Sequence, residues 1–132
     1  MIKGKRILIV EDERVVAEAT SEFLSVLGYD VIGTPQEGEK AVDMALQSPP
    51  DLIIMDIRLK GETDGIEAVE KIHDVMYVPV VYLTAYSEPA TIERANRTRH
   101  SGFIKKPVME EDLEITVAAV LRKEEERRQS SV

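Results

Sequence analysis

The feature of the 132-residue sequence that most constrains its fold is a regular alternation. Short apolar runs, each ending at a charged or hydroxyl residue, are separated by segments with helical periodicity. Arg6-Ile-Leu-Ile-Val10 reads as a buried strand stopped by Glu11 and Asp12. Val16, Ala19, Phe23 and Leu27, with Leu24 beside them, recur at helical spacing, and Gly28 supplies a left-handed C-cap. Tyr29 to Gly33 is a second strand; Ala41, Val42, Ala45 and Leu46 form a second helical stripe, stopped by Pro49-Pro50. Leu52-Ile-Ile-Met55 is a third strand ending at Asp56, and Ile66, Val69 and Ile72 mark a helix with Asp64 as N-cap. Pro79-Val-Val-Tyr-Leu83 ends at Thr84, and Pro89 to His100 forms a fourth helix with only Ala90, Ile92 and Ala95 as apolar anchors. Gly102-Phe-Ile104 is a fifth strand, broken by Pro107. Leu113, Val117, Val120 and Leu121 mark the last helix, with the chain fraying from Glu124 to Val132.

Five βα units predict one α/β domain: a parallel five-stranded sheet with helices on both faces, since parallel strands need crossovers of this length. The flavodoxin-like doubly wound order, 2-1-3-4-5, is expected. Residues 1–122 would form this domain and 123–132 a charged tail, with no output domain in the chain. With no cysteine, disulfides and thiolate chemistry are excluded. A formal charge of −8 argues against direct nucleic-acid binding, which needs clustered Lys and Arg. The run Ile7 to Val10 is too short for a membrane span or a signal peptide, so a cytoplasmic location is expected.

In a sheet of this order, chemistry sits beyond the carboxyl ends of the strands, at the switch in strand order. The residues there are Glu11 and Asp12, Asp56, Thr84 and Lys106. Carboxylates about 4 Å apart repel by roughly 4 kcal/mol at an effective dielectric near 20, so a proton or a hard cation must neutralise them. Mg²⁺ suits such a site because it accepts one or two carboxylates together with phosphate oxygens. Three ionised carboxylates, Mg²⁺ and a protonated Lys106 sum to about zero charge, an environment able to hold a transferring phosphoryl group. Asp56 is then a candidate carboxylate nucleophile.

The ordered set Leu8-Ile-Val-Glu-Asp-Glu13, Ile54-Met-Asp-Ile57, Leu83-Thr-Ala85 and Gly102-Phe-Ile-Lys-Lys-Pro107 resembles the receiver domain of the two-component response-regulator family, over about residues 5 to 122. The resemblance implies that Asp56 accepts the phosphoryl group and that Asp12 binds Mg²⁺ directly. It also implies that Glu11 acts directly or through water and that the Arg58 carbonyl completes the metal's protein contacts. Thr84 and Lys106 would hold the phosphoryl group, and Phe103 would turn with Thr84 as the switch aromatic. Partners implied are a sensor histidine kinase or phosphotransfer protein and a downstream protein target. A homodimer through the helix 4–strand 5–helix 5 face is a further expectation.

The sequence departs from the family pattern at Glu11, where Asp is common, and in the loop Arg58-Leu-Lys-Gly-Glu-Thr-Asp-Gly65, which carries Lys60 in place of proline and one extra residue. Neighbours on an extended segment point opposite ways, so only one of the adjacent lysines can face the site; the resemblance implies the one directly before proline, Lys106. Lys106-Pro107 is a candidate cis peptide. Arg58 and Tyr86, two residues beyond Asp56 and Thr84, are expected to rim the phosphoryl site and hinder water. Two alternatives remain at this point: a Mg²⁺-dependent aspartyl phosphohydrolase, and a degenerate receiver that only binds partners.

Overall fold

The computed structural model describes residues 4–85 and 88–130. Its elements alternate strictly: β1 (Arg6–Val10), α1 (Arg14–Val26), β2 (Asp30–Gly33), α2 (Gly38–Gln47), β3 (Leu52–Asp56), α3 (Gly65–His73), β4 (Val80–Thr84), α4 (Pro89–Asn96), β5 (Gly102–Lys105) and α5 (Glu110–Ser130). The five strands form one sheet in the order β2-β1-β3-β4-β5, every pairing parallel.

The unbroken apolar runs are explained by burial on both faces. Leu8, Val10, Ile53, Met55, Val80 and Tyr82 face a core closed by Ala41 and Ala45 of α2, Ile66, Val69 and Ile72 of α3, and Ala95 of α4. Their sequence neighbours Ile7, Ile9, Leu52, Ile54, Val81 and Leu83 face a second core. It is closed by Leu24 of α1 and by Leu113, Val117, Val120 and Leu121 of α5.

Several expected boundaries shift for local reasons. The stripe of α1 is rotated: Ala17, Thr20 and Leu24 are buried, whereas Ala19 is exposed, because a threonine occupies a core position. Leu46 of the α2 stripe is 38% exposed. β4 starts after Pro79, which has no N–H to give the ladder but whose carbonyl accepts from Ile53. α4 ends at Asn96 rather than His100, since the Thr98 hydroxyl donates to the Ala95 carbonyl at 2.6 Å and closes the last turn.

α5 does not fray at Glu124; it runs through residue 122 to Ser130. Its end is held by Lys5–Glu125 at 3.4 Å and by the Arg127 guanidinium 5.4 Å from the Tyr77 ring centre. The Arg99 guanidinium lies 3.8 Å from the same ring centre. Gly28 takes the left-handed conformation after α1, φ 99°. Asp64 caps α3 in a capping box with Glu67. None of the described helices is long and apolar enough to cross a membrane.

Candidate functional site

β1, β3, β4 and β5 all end at one edge of the sheet, and register brings their terminal residues level. Met55 pairs with Tyr82, Asp56 with Leu83, and Thr84 with Lys105. Asp56 is 2% exposed and Glu11 1%, both held there by the fully buried runs that precede them. Carboxylate oxygens of Glu11, Asp12 and Asp56 lie within 4.8 Å of one another. The Lys106 ammonium donates to Asp56 Oδ2 at 2.7 Å and lies 3.4 Å from Glu11 Oε1. Asp56 Oδ1 accepts the Arg58 amide at 3.2 Å. Lys105, the other candidate lysine, is exposed, and the Lys106–Pro107 peptide is cis.

Burial, reinforced by the facing Asp56 carboxylate, pushes the Glu11 carboxyl up to about 7, against the lowering effects of the Glu13 amide and of Lys106. Burial pulls the Lys106 ammonium down, but its bond to Asp56 and the charges of Asp56 and Glu11 outweigh this, and its pKa is raised. The upward shift of Glu11 is the response expected of a buried carboxyl that faces a second carboxylate. Glu11 Oε1 is buried and has no hydrogen-bond partner; Lys106 at 3.4 Å supplies charge without a hydrogen bond. An orphaned buried oxygen beside two more carboxylates fits a hard, oxygen-seeking divalent cation such as Mg²⁺.

Beside Asp56 lies a cavity of about 90 Å³ lined by Thr84, Ala85, Lys106, Arg58, Glu88 and Thr91, among others. Thr84 is 7% exposed, and its carbonyl accepts the Lys106 amide at 2.8 Å. Phe103 is half-buried and stacks on Tyr82, with ring centres 5.8 Å apart; His100 stands 4.6 Å away on a tilted plane. Thus Glu11, Asp12, Asp56, Thr84 and Lys106 meet as the strand-end argument expects, while Phe103 packs against Tyr82 and His100. Tyr86 lies outside the described residues.

Glu88 and Thr91 were not indicated by the sequence. Glu88 stands next to Pro89 at the α4 N-terminus and forms an ion pair with Arg58, and Thr91 Oγ1 donates to it at 3.2 Å. The loop after β3, with its extra residue, is tied on the other side to α2. The backbones of Lys60 and Glu37 form an isolated parallel β-bridge, and Thr63 is buried against Gly38. Arg94 of α4 donates to Asp64 at 3.0 Å, and Arg97, just past the helix, donates to Glu93 at 3.3 Å.

Comparison with known proteins agrees with this geometry. The family described as response regulator receiver domain matches residues 7–118. The transcriptional regulatory protein PdtaR of Mycobacterium tuberculosis is 36% identical over 109 residues, covering 83% of this chain and 53% of that protein. The polar-differentiation response regulator DivK of Brucella ovis is 32% identical over 107 residues, 79% of this chain and 85% of that one. The crystal structure of the signal receiver domain of a modulated diguanylate cyclase from Desulfovibrio desulfuricans superposes with a TM-score of 0.87. It is 32% identical and covers 95% of this chain and 99% of that one. The chain spans about half the length of PdtaR and of several other regulators that it matches.

Proposed function

The chain belongs to the response regulator receiver domain family, and from that premise we propose that it takes a phosphoryl group on Asp56 and relays it as a change in a protein-binding face. The observation that carries this reading is the buried Asp56 carboxylate, 2.7 Å from Lys106 and beside a small cavity lined by Thr84.

The proposed donor is a phosphohistidine of a sensor kinase or phosphotransfer protein. An Asp56 oxygen forms the new O–P bond as the donor's P–N bond breaks, leaving the electron pair on the imidazole nitrogen. Lys106 holds the carboxylate before transfer and follows the added negative charge after it. The Thr84 hydroxyl donates to a phosphoryl oxygen. Asp12 and Asp56, with Glu11 directly or through water and the Arg58 carbonyl, would hold Mg²⁺, which supplies positive charge against the carboxylates and the phosphoryl oxygens. Because such donors are charged from ATP, the proposed compartment is the cytoplasm.

Output is proposed through α4, β5 and α5. Thr84, drawn toward the phosphoryl group, lets Phe103 turn, and the face is presented to a protein target or to a second copy. Direct nucleic-acid binding and membrane attachment are not part of the reading.

Incubation with acetyl phosphate and Mg²⁺, followed by intact mass, tests the acceptor. The wild type should gain one phosphoryl mass and Asp56→Asn none. A discrete phosphate on Asp56→Asn would show that the acceptor lies elsewhere.

A further inference from the structure

Resting on the reading of Asp56 as phosphoacceptor, we propose that Glu88 is a positioning residue which pins the Arg58 guanidinium across the mouth of the Asp56 cavity. The first turn of α4 thereby becomes a gate that meters both water and small phosphodonors.

Three observations carry the assignment. Arg58 and Glu88 come from different elements, one from the loop after Asp56 and the other from the α4 N-terminus, and both line the cavity. Their ion pair closes the interval between them, and Thr91 Oγ1 holds the second carboxylate oxygen of Glu88 at 3.2 Å. A second cavity, of about 440 Å³, opens between the same loop and α4 and shares Ile57, Arg58, Glu88 and Thr91 with the first. Arg58 and Glu88 thus line both cavities, and their ion pair stands between them.

α4 is suited to move. Ala95 is its one fully buried residue, and a second ion pair, Arg94–Asp64, ties it to the start of α3. The Arg58 and Glu88 side chains are 65% and 53% exposed, so their pair is weak and screened by salt. A weak latch predicts a modest effect that is the same in both directions. A gate changes the rates of phosphoryl entry and of hydrolytic loss together. A direct contact with the phosphoryl group would instead change their ratio.

The experiment follows uptake from acetyl phosphate and decay after donor removal, both by intact mass at fixed Mg²⁺, with circular dichroism confirming the fold. Glu88→Gln should raise both rates by about twofold to fivefold, the range an exposed ion pair supports, and leave steady-state occupancy unchanged. Arg58→Gln in the Glu88→Gln background should add nothing further, and the exchanged pair Arg58→Glu with Glu88→Arg should restore slow kinetics. Added salt should speed the wild type and leave Glu88→Gln indifferent. Slower decay in Glu88→Gln, additive effects of the two substitutions, or unchanged rates would overturn the gate while the acceptor assignment stands. A wild type that takes up no phosphate would overturn both.

Discussion

The Lys106 ammonium is 2.7 Å from Asp56 Oδ2, whereas its neighbour Lys105 stands in solvent. One residue of strand register separates an ammonium that pairs with the acceptor from one that is exposed to solvent, although its backbone pairs with Thr84. Lys106→Met leaves Asp56 and Glu11 without their shared counter-ion in a buried setting, where removing one partner of a charge pair is costly. The expected result is impaired phosphoryl uptake from acetyl phosphate and a weakened phosphorylation response, with Lys105→Met close to the wild type. The reverse outcome in the same uptake assay would move the functional lysine by one residue.

The raised pKa of Glu11 makes both stability and metal affinity depend on pH. The unfolded carboxyl titrates near 4.5 and the folded one near 7, so between these values the native state holds a proton that the unfolded state has lost. Stability of the metal-free protein should therefore decline as pH rises from about 4.5 to 7 and level off above. The loss is at most about 3.5 kcal/mol, since about 2.5 pKa units separate the two values and each is worth ~1.4 kcal/mol. A cation bound at the cluster must displace that proton, so apparent Mg²⁺ affinity should climb over the same window with proton release. Glu11→Gln should flatten the stability profile in metal-free denaturant melts. An undiminished slope in that variant would assign the titration to another group.

Much of this arrangement is legible in the sequence because strand ends are marked chemically. Val10 gives way to Glu11, Met55 to Asp56 and Leu83 to Thr84, and a buried parallel strand admits no earlier polar residue. The period of a strand, which is two, shows that only one of Lys105 and Lys106 can face the site, and the resemblance, with its lysine directly before proline, selects Lys106. What could not be read are contacts made by long side chains between loops. Glu88 is one more acidic residue before a helix, and nothing local shows that Arg58 comes across to meet it. The α1 stripe was misphased for a related reason: Thr20 occupies a core position that a hydrophobic pattern assigns to its neighbour Ala19. The extension of α5 rests on Tyr77, Lys5 and Arg127, partners far apart in the chain, and periodicity past residue 122 carried no trace of it.

Gly65 opens α3 directly beneath the acceptor. A Cβ there would lie 2.1 Å from the Asp56 carbonyl oxygen and 3.0 Å from Ile57 Cα, both backbone atoms with no room to yield. The Gly65 amide also donates to the Ile57 carbonyl at 2.8 Å, which fixes the close approach. Gly65→Ala should destabilise the fold by roughly 1–3 kcal/mol as an overpacking substitution and displace Asp56. Chemical denaturation should show the loss, and phosphoryl uptake should fall more than stability alone explains. A variant as stable as the wild type would mean that the loop relaxes without cost.

The output face can be argued from what it leaves uncovered. Ile115 of α5 is 61% exposed, on the side opposite the buried Leu113, Val117, Val120 and Leu121, and Phe103 of β5 is only half-buried. Phe103 rests on Tyr82, whose hydroxyl bonds Thr98 Oγ1 at 2.7 Å just past the end of α4. The Thr98 hydroxyl already donates to the Ala95 carbonyl, so the Tyr82 hydroxyl is the donor in that bond. A rotation of Phe103 thus disturbs the ring that anchors the α4 C-terminus, while Glu88 connects its N-terminus to the acceptor pocket. Phosphorylation can shift this assembly only by interactions it makes in one state and not the other. The Thr84 and Lys106 contacts to the phosphoryl group, about 1.5–3 kcal/mol each as charge-assisted hydrogen bonds, are sufficient for a shift of tenfold or more. Partner binding or self-association through α4, β5 and α5 should therefore strengthen on phosphorylation, weaken in Ile115→Glu and fall with added salt. Amide exchange with and without a beryllofluoride phosphoryl mimic should show changes across residues 88–120. Changes confined to the loops around Asp56 would remove the switch and leave a phosphoacceptor whose output must be read at the site itself.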